Sequence, residues 1–565
     1  MKLRKGRLGF RAAVLACTLA GAIGAAAVVG TSAIADKPKS PDADTTTPIH
    51  HVVVIFDENI SFDHYFATYP NAANPPGEPP FVAAKGTPAV NGLSQSLQSP
   101  NNPNIVQPFR IDRQDAETCS QNHGYTAEQQ ADDAGLVDKY VQATGAKGTN
   151  SSAPGAPPCT AAALTHSGAG LSTLPGSQVM GYFDGNTVTA MWNYAQNFAM
   201  NDNSFGSNFG PSSVGAINLI SGQTHGFAPA VNPANPNATF YSDVSENGTV
   251  IGDPQPAGDI CDTRDRSTET AGGKNIGDLL NAKGVTWGWF EGGFREAPGA
   301  ATCTVAHTNR FGVKSNDYIP HHEPFQFYAS TQNLNHLPPT SVDNIGKTDQ
   351  ANHQYDLSDW YDALNAGNLP AVSYLKAPGY QDGHPGYSDP LDEQQFVVNA
   401  INALEKSPFW HDTAVIIAYD DSDGWYDHVM SPINNQSADP KHDAIRGALS
   451  ATTGLVTNGD CGSQQPQAVD PTQQDRCGYG VRQPLLVISP YAKANFVDNT
   501  LTDQTSILRF IEDNWSLGRI GGGSFDAKAG TLLNMFTFGP GDDRDHGANK
   551  LFLDPSTGEP ADVDP

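Results

Sequence analysis

The sequence predicts an α/β fold with a largely parallel central sheet and long loops between its elements. Short apolar runs rich in β-branched residues alternate along the chain with helical patterns, and this alternation is typical of parallel sheets covered by helices. Gly and Pro are abundant, with 56 and 42 residues in a chain of 565, which indicates many loops. Two of the apolar runs end directly in acidic residues, and ligands of parallel sheets bind at that edge.

The first predicted strand is His50–Phe56, a short apolar run of the kind that forms buried strands. Four further runs have the same character: Trp287–Phe290, Ala371–Leu375, Ala414–Tyr419 and Leu485–Ile488. Helical patterns lie between them, and the clearest are Val214–Ser221, Leu391–Lys406 and Ser506–Trp515. No internal repeat is visible, so we expect one sheet.

The first 35 residues have the three parts of a secretory signal peptide. Residues 1–11 carry five basic residues and no acid, an uncharged run spans Ala12–Val29, and Ala33-Ile34-Ala35 forms a small-x-small cleavage site. Cleavage near Ala35 predicts a secreted protein with no stable membrane anchor. The alternative is an uncleaved anchor, since 18 apolar residues nearly span a bilayer.

After the signal peptide we expect a linker over residues 36–47 and a single catalytic domain over residues 48–565. Residues 70–108 and 144–178 are rich in Pro, Gly, Asn and Ser, and we predict that both are loop-rich surface insertions in that domain. The sequence leaves the oligomeric state open.

The chain is strongly acidic, with a formal net charge of −28 that becomes −33 once the basic signal peptide is removed. This balance excludes nucleic acid as a main partner, because phosphate backbones require Lys and Arg as counter-charges. An anionic substrate would have to be attracted locally, against the charge of the whole molecule.

Six cysteines remain after removal of the signal peptide, and an even number in a secreted chain indicates disulfides. Each consecutive pair brackets a loop rich in Gly or Pro, so we predict sequential pairing: Cys119–Cys159, Cys261–Cys303 and Cys461–Cys477. No C-x-x-C motif occurs, which argues against a metal site built from cysteine.

Acidic residues follow two predicted strands, as Asp57-Glu58-Asn59 and as Asp420-Asp421-Ser422-Asp423. At one edge of a parallel sheet these carboxylates would repel one another unless a cation neutralised them. Oxygen ligands favour a hard divalent ion. The alternative for Glu58-Asn59 is an ordinary turn after a strand.

Several segments resemble the phosphoesterase family of bacterial acid phosphatases and phospholipases C, within the alkaline phosphatase superfamily. The resemblance covers most of residues 48–520 and is most specific in the first and the Asp420 segments. The matching segments are HVVVIFDENISFDHYFATYP (51–70), NHGY (122–125), FGPSS (209–213), ISGQTHG (220–226), DYIPHHEPFQFY (317–328), DGHP (382–385), AVIIAYDDSDGWYDHV (414–429), VRQPLLVISPYAK (481–493) and DQTSILRFIEDNW (503–515).

The resemblance implies an alkaline-phosphatase-like three-layer sandwich and one divalent metal ion, whose identity stays open among Ca, Mg, Mn and Zn. It implies five metal ligands: Glu58, Asn59, Ser212, Asp420 and Asp421. Ser212 also matches the family's nucleophile, and a metal at its hydroxyl would lower the hydroxyl pKa. Ser213 is the alternative nucleophile, and a plain helix N-cap is the alternative role for Ser212.

Four histidines match family positions around the phosphate: His123, His321, His322 and His384. Imidazolium groups bind phosphoryl oxygens and can protonate a leaving alkoxide, which leads to the hypothesis of an acidic pH optimum. We expect His225, Asp427 and His428 to hold the residues of the site in position without contacting the metal or the substrate themselves. The acidic cluster Asp542–His546 is interpreted as a solvated loop.

This chain departs from the family pattern at three positions. Ile60 replaces a usual Arg, Asp421 replaces a frequent Glu, and Gln504 stands where His is common. None of these changes removes an expected metal ligand. We therefore expect them to affect metal affinity and substrate choice rather than the class of reaction.

The predicted function is a secreted, metal-dependent phosphoric ester hydrolase, with an acid phosphatase that forms a phosphoserine intermediate as the first choice. The alternatives are a phospholipase C acting on phosphodiester head groups, a metal-independent serine hydrolase, and a non-catalytic secreted binding protein. The DYIPHHEPFQFY segment favours the acid phosphatase branch of the family.

Overall fold

The core of the molecule is a sheet whose central strands consist almost entirely of apolar residues. In the computed structural model every residue of His51–Asp57 and of Thr413–Tyr419 is buried, as expected for parallel strands that are covered on both faces. The structure describes residues 44–94, 97, 101–145, 174–230, 244–245, 248–262, 267–295, 302–449, 456–457, 459–462, 475–539 and 549–561.

Eight strands form the central sheet in the described part of the chain. They are β1 (His51–Asp57), β2 (Ala199–Asn201), β3 (Trp287–Glu291), β4 (Gln354–Asp356), β5 (Val372–Lys376), β6 (Thr413–Tyr419), β7 (Leu485–Ile488) and β8 (Phe496–Asp498). Their spatial order is β4-β3-β5-β1-β6-β7-β2-β8, and only β7 is antiparallel to its neighbours. The predicted largely parallel sheet is confirmed. The sequence patterns missed β2, β4 and β8, which are three residues long and too short for a periodic signal.

Helices cover both faces of this sheet. They are α1 (Phe62–Phe66), α2 (Tyr125–Asp132), α3 (Tyr140–Ala143), α4 (Thr189–Asn197), α5 (Ser212–Ser221), α6 (Ile276–Lys283), α7 (Leu357–Ala366), α8 (Pro390–Lys406) and α9 (Gln504–Asn514). Helix α5 packs on α9 and α6, whereas α4 packs on α8. The Tyr419 hydroxyl donates to Glu393 of α8, while the ring of Tyr374 packs against Phe325 on the opposite face. The predicted α/β fold is therefore three-layered.

The register of the central strands brings their carboxyl ends to one level. Val54 pairs with Tyr374 of β5 and with Ile416 of β6, and Asp57 pairs with Tyr419. The residues that follow β1, β5 and β6 therefore leave the sheet side by side. Because of this register, three segments that are distant in sequence lie next to one another and can form one site.

Smaller strands build the loops around this body. They pair as Phe109–Arg110 with Gly181–Tyr182, Ser204–Phe205 with Thr502–Asp503, Phe227–Ala230 and Gln255–Pro256 with Thr268–Ala271, Ala306–Thr308 with Lys314–Asn316, and Ala448–Leu449 with Val456–Thr457.

The insertion at 70–108 is only partly a surface excursion. Its described residues contain no strand, as predicted, but Phe81, Leu93 and Val106 are buried. These three side chains attach an otherwise irregular segment to the body, because burying each one removes apolar surface from water. Most of the second insertion, residues 146–173, lies outside the described residues.

Two of the predicted disulfides, Cys261–Cys303 and Cys461–Cys477, are present. Cys119 is also disulfide-bonded, and its predicted partner Cys159 lies outside the described residues. The predicted signal peptide, most of the 36–47 linker and the Asp542–His546 cluster lie outside them as well, so those assignments and the domain limits stay predictions.

Candidate active site

Ser212 is the first residue of helix α5, and a tight turn places it there. Gly210 has a φ of +120°, a conformation that suits glycine, and extended Pro211 is the N-cap without a side-chain cap bond. The Ser212 hydroxyl is therefore not an N-cap group, and that alternative is wrong. The side chain is left to project from the N-terminus of a ten-residue helix, where anions are bound favourably.

Two acidic side chains, from the loops after β1 and β6, meet the Ser212 hydroxyl. Its Oγ lies 3.0 Å from Oε2 of Glu58 and 3.1 Å from Oδ2 of Asp421. Asp420 is held beside them, since its Oδ1 accepts the backbone N–H of Asp421 at 2.7 Å and that of Asn59 at 3.4 Å. The structure thus brings together all five residues that the family resemblance implied as metal ligands.

A buried lysine that the sequence analysis missed also lies in this cluster. Lys376, the last residue of β5, contacts Glu58 and lies 3.4 Å from Oδ2 of Asp420. Although burial alone would lower the pKa of Lys376, Asp420 and Glu58 raise it, so the ammonium group stays charged. The sequence did contain a signal for Lys376. It is a lone basic residue at the end of an apolar strand, and that strand ends at the same sheet edge as the acidic segments.

One ammonium group does not balance the acids around it. Burial, partly offset by Lys376, raises the pKa of Glu58 to about 7. Burial raises the pKa of Asp420 and Asp421 as well, with the charge of Glu58 adding to the shift of Asp420. Carboxylates in this state are stabilised by a further cation.

Asn59 gives an independent indication that this cluster can hold a cation. The residue is fully buried, and neither its Oδ1 nor its Nδ2 has a hydrogen-bond partner in the part of the chain that the structure describes. A buried amide without partners is costly. Its φ is +58°, a conformation that asparagine tolerates better than most residues. The donor set of carboxylate, amide and hydroxyl oxygens fits a hard divalent ion.

The four predicted histidines fall into two groups. Nδ1 of His322 lies 3.0 Å from Oε1 of Glu58, and the rings of His321 and His322 are 4.5 Å apart. On the other side, Nδ1 of His123 lies 2.9 Å from Oδ1 of Asp423, and its ring is 5.7 Å from that of His384.

The charge of His123 is set by its carboxylate neighbours. Burial alone would lower the pKa of His123, but Asp421 and Asp423 raise it well above its ordinary value. These carboxylates therefore favour the imidazolium form of His123, which can bind a phosphoryl oxygen or release a proton.

Ser213 has different surroundings from Ser212. Its backbone N–H donates to Oδ1 of Asp253 at 3.0 Å, and its hydroxyl donates to the His321 carbonyl at 3.5 Å. This geometry favours Ser212 as the nucleophile, since only its hydroxyl contacts the acidic cluster.

Comparison of the sequence with models of protein families gives a match over residues 49–518, and the matching model is described as "Phosphoesterase family". The chain belongs to the Phosphoesterase family. The resemblance found in the sequence segments is confirmed, and every residue of the cluster lies inside the matched range.

Phospholipases C are among the curated proteins to which this chain is similar. The non-hemolytic phospholipase C of Pseudomonas aeruginosa is 34% identical over 170 residues, which cover 28% of this chain and 23% of that protein. The hemolytic phospholipase C of the same organism is 24% identical over 522 residues, covering 89% of this chain and 58% of that protein. The chain thus spans less than two thirds of the length of these relatives. They support a hydrolase that acts on phosphoester bonds.

A solved structure, the murine ectonucleotide pyrophosphatase/phosphodiesterase 5, aligns with 62% of this chain and 95% of its own at 12% identity and a TM-score of 0.29. That likeness is too weak to carry an argument. In the described segments of this phosphoesterase, no helix has the length and apolar character needed to cross a bilayer.

Glu128 is a further residue of this phosphoesterase that the sequence analysis missed. From α2 it accepts the Gly210 N–H at 2.8 Å through Oε2 and the Ser422 hydroxyl at 2.5 Å through Oε1. It therefore joins the turn before Ser212 to the loop that carries Asp420 and Asp421. Nothing in the sequence separates this glutamate from other helical glutamates, because its role depends on two distant loops.

The structure shows the contacts of His225, Asp427 and His428, which we expected to hold the site in position. His428 lies 2.7 Å from Oδ2 of Asp63, and Asp427 pairs with the buried Arg482 at 3.1 Å. Arg482 also pairs with Asp63, so these residues join the loops after β1 and β6. His225 pairs instead with Asp475, at 2.9 Å.

The departures from the family pattern have structural roles. Ile60 is buried in the main hydrophobic core. Gln504 donates to the Asp420 carbonyl at 2.6 Å and accepts the Ser207 N–H at 2.9 Å, so it fixes the end of β6.

Proposed function

We propose that this phosphoesterase hydrolyses phosphoric esters with Ser212 as the nucleophile. The observation that carries the proposal is the Ser212 hydroxyl at a helix N-terminus, 3.0 Å from Glu58 and 3.1 Å from Asp421. A free serine hydroxyl is a weak nucleophile, and adjacent carboxylates and positive charge activate it.

In this mechanism the substrate phosphoryl group lies between the N-terminus of α5 and the histidines. Ser212 Oγ attacks phosphorus as its proton passes to a carboxylate of the cluster, and the bond from phosphorus to the leaving alcohol breaks. In this proposal His123, whose imidazolium form is favoured by Asp421 and Asp423, gives the leaving oxygen a proton. Water then attacks phosphorus, Ser212 leaves with a proton, and the phosphate group is released.

Glu58, Asn59, Ser212, Asp420 and Asp421 are the residues that would hold a divalent metal. A metal there would supply positive charge that lowers the Ser212 pKa and stabilises the transferring phosphoryl oxygens. The two unpartnered amide atoms of Asn59 and the raised carboxyl pKa values support this assignment. Chelator-insensitive activity would favour the metal-independent serine hydrolase instead.

For the substrate we propose a phosphodiester of the phospholipid head-group type, because the relatives that match the chain bear the name phospholipase C. The second candidate is a phosphomonoester, which the His321–His322 segment of the acid phosphatase type favours. Secretion after cleavage near Ala35 is part of the proposal and is supported by the disulfides. Comparing hydrolysis of p-nitrophenyl phosphorylcholine with that of p-nitrophenyl phosphate separates the two substrate classes.

The deciding experiment compares Ser212→Ala with Ser213→Ala. We expect Ser212→Ala to lose phosphoester hydrolysis by more than a thousandfold, whereas Ser213→Ala should retain activity within about tenfold. Acid-quenched wild-type protein should carry a phosphoryl adduct on the peptide that contains Ser212, detected by mass spectrometry. Full activity in Ser212→Ala would disprove the nucleophile assignment, and no turnover of any phosphoester by metal-loaded wild type would favour a binding protein.

A further inference from the structure

A cluster of buried titratable side chains adjoins the turn that carries His321 and His322, and the proposed mechanism does not use it. We call it the Tyr318 cluster, and its members are Asp259, Tyr318, Glu323 and His336. None of these four residues is more than 5% exposed. Polar groups are costly to bury unless they bind one another, so the positions of the protons in this cluster can be read from its contacts.

The side chains of Tyr318 and Glu323 close the turn that holds the two histidines. The Tyr318 hydroxyl oxygen lies 2.7 Å from Oε2 of Glu323, and His321 and His322 lie in the short 3-10 turn between these residues. His322 is the residue directly before Glu323, and its Nδ1 lies 3.0 Å from Oε1 of Glu58. The contact between Tyr318 and Glu323 therefore fixes both ends of the segment that brings His322 to the acidic cluster.

Asp259 is the negatively charged member of the Tyr318 cluster. Its Oδ2 accepts the Tyr318 hydroxyl at 2.8 Å, and its Oδ1 accepts the Cys261 N–H at 2.8 Å. Nε2 of His336 lies 2.9 Å from the same Oδ1. Three donors around one carboxyl group are the pattern of an ionised carboxylate, which can only accept hydrogen bonds.

The geometry then requires a proton on Glu323. A tyrosine hydroxyl has one proton and can donate it to one acceptor at a time. Because Tyr318 donates to Asp259, its contact with Glu323 is a full hydrogen bond only when Glu323 is a neutral acid that donates to the Tyr318 oxygen. The other oxygen of Glu323, Oε1, is buried and has no hydrogen-bond partner among the described residues. A bare oxygen costs far less on a neutral acid than on a carboxylate.

The surroundings of Glu323 favour the same protonation state. Burial raises the pKa of this carboxyl group to about 8, and the charges of Glu291 and Asp259 contribute to the increase. His336 and the hydrogen bond from Tyr318 offset part of it. Glu323 is therefore mostly neutral below about pH 8 and becomes charged above it.

We propose that Tyr318 and the neutral acid Glu323 are positioning residues that hold His321 and His322 in place for phosphoester hydrolysis. This inference rests on the proposed function, since it concerns the histidines of that site. Ionisation of Glu323 would leave two carboxylates with one hydroxyl proton between them, and their repulsion would open the contact that closes the turn. Activity should therefore decrease as the pH rises through the pKa of Glu323.

The test compares Glu323→Gln with Tyr318→Phe. Glutamine has the shape of the neutral acid, can donate an amide N–H to the Tyr318 oxygen and does not ionise. We expect Glu323→Gln to keep kcat within about threefold of wild type near pH 6 and to lose the decrease that wild type shows above about pH 8. Tyr318→Phe removes the bridging hydroxyl, so kcat should fall about tenfold with little change in KM.

Tyr355→Phe is the matched control for Tyr318→Phe. Tyr355 is also buried, and its hydroxyl accepts the Gly346 N–H at 2.9 Å in another part of the molecule. This variant should lower the melting temperature without changing kcat per folded molecule or the pH profile. The same response in Tyr318→Phe would show a role in stability alone and would overturn the inference.

The proton on Glu323 can be measured without a substrate. The infrared difference spectrum of wild type minus Glu323→Gln near pH 6 should contain the carbonyl band of a neutral carboxylic acid, and the band should disappear as the pH rises. A carboxylate band at every pH would overturn the inference, as would an equal alkaline loss of kcat in wild type and Glu323→Gln. A wild type that hydrolyses no phosphoester would refute the proposed function and the positioning role with it.

Discussion

At the scale of single residues, the site consists of charged and polar side chains that are buried, although such groups are more stable in water. Glu58, Asn59, Asp420, Asp421 and Lys376 are each at most 3% exposed, and one ammonium group does not satisfy them. Burying charge is costly unless it is paired or binds a metal ion. Metal binding at this cluster is therefore the property that single substitutions should report.

Replacing Asp420 with Asn should abolish tight metal binding. The change removes one anionic ligand while keeping side-chain shape, so we expect metal content after dialysis to fall at least tenfold, measured by inductively coupled plasma mass spectrometry. Asp362→Asn, on the exposed surface of α7, is the control and should keep wild-type metal content. Unchanged metal in Asp420→Asn would refute the ligand assignment.

Glu128 makes a second prediction at this scale. In Glu128→Gln the amide cannot accept both the Gly210 N–H and the Ser422 hydroxyl as the carboxylate does, so the turn before Ser212 loses its fixed position. We expect kcat to fall about 10- to 100-fold, corresponding to about 1.5–3 kcal/mol for a hydrogen bond to a charged group, with little change in KM.

The control for Glu128 is Glu405→Gln, another buried glutamate, which accepts the Leu551 N–H at 2.8 Å. It should lower the melting temperature without changing kcat per folded molecule. If Glu128→Gln behaves in the same way, its role is in stability alone and the positioning role is wrong.

At the scale of elements, the distance between helix α5 and strand β6 determines whether Ser212 meets Asp421. Gly215 in this helix lies against the end of β6, where a Cβ atom would come within 2.0 Å of the Asp420 carbonyl oxygen and 2.7 Å of Nε2 of Gln504. A glycine inside a helix normally weakens it by about 1 kcal/mol. Here it permits a close approach that any larger residue would prevent.

We therefore expect Gly215→Ala to destabilise the protein by about 1–3 kcal/mol through overpacking, although alanine favours helix. Activity should also fall, because the helix that carries Ser212 must move away from Asp420. Chemical denaturation and steady-state kinetics measure the two effects. Gly539→Ala, at a position where a Cβ would meet no atom of the described residues within 4 Å, should remain near wild type. A stabilised and fully active Gly215→Ala would show that the contact is not limiting.

At the scale of the whole molecule, net charge opposes the proposed chemistry. The chain carries −28, and a field of this sign slows the approach of anionic substrates. The local positive charge of Lys376, His123 and a bound metal acts only at short range, because salt screens exposed charges over about 10 Å at 0.1 M.

For this reason kcat/KM for p-nitrophenyl phosphate should rise about two- to fivefold as sodium chloride increases from 10 to 150 mM, because screening weakens the repulsion. The control substrate is p-nitrophenyl phosphorylcholine, whose net charge is zero, and its kcat/KM should change much less. A steady decrease for the anionic substrate would mean that the positive field near the site dominates its approach.

Much of this molecule follows from sequence because local rules act within short segments. The apolar runs of β1 and β6 and the long helix α8 were predicted to within two residues, since period and composition determine such elements. The family segments contain Ser212, the four acidic or amide residues that we propose as metal ligands, and the histidines, and they could be recognised because each motif is contiguous. The pairings Cys261–Cys303 and Cys461–Cys477 were also predicted, from the loops that they enclose.

Tertiary structure alone decided what depends on contacts between distant segments. Only the Ser212 hydroxyl contacts Glu58 and Asp421, because residues next to each other in a helix point in different directions, and our proposal of Ser212 rather than Ser213 as the nucleophile rests on that contact. Lys376 and Glu128 acquire their significance only from neighbours more than 40 residues away in sequence. The sequence by itself determined which chemical groups this protein holds at the ends of its strands. The register of the parallel sheet and the packing of α5 against it decided that these groups share one site.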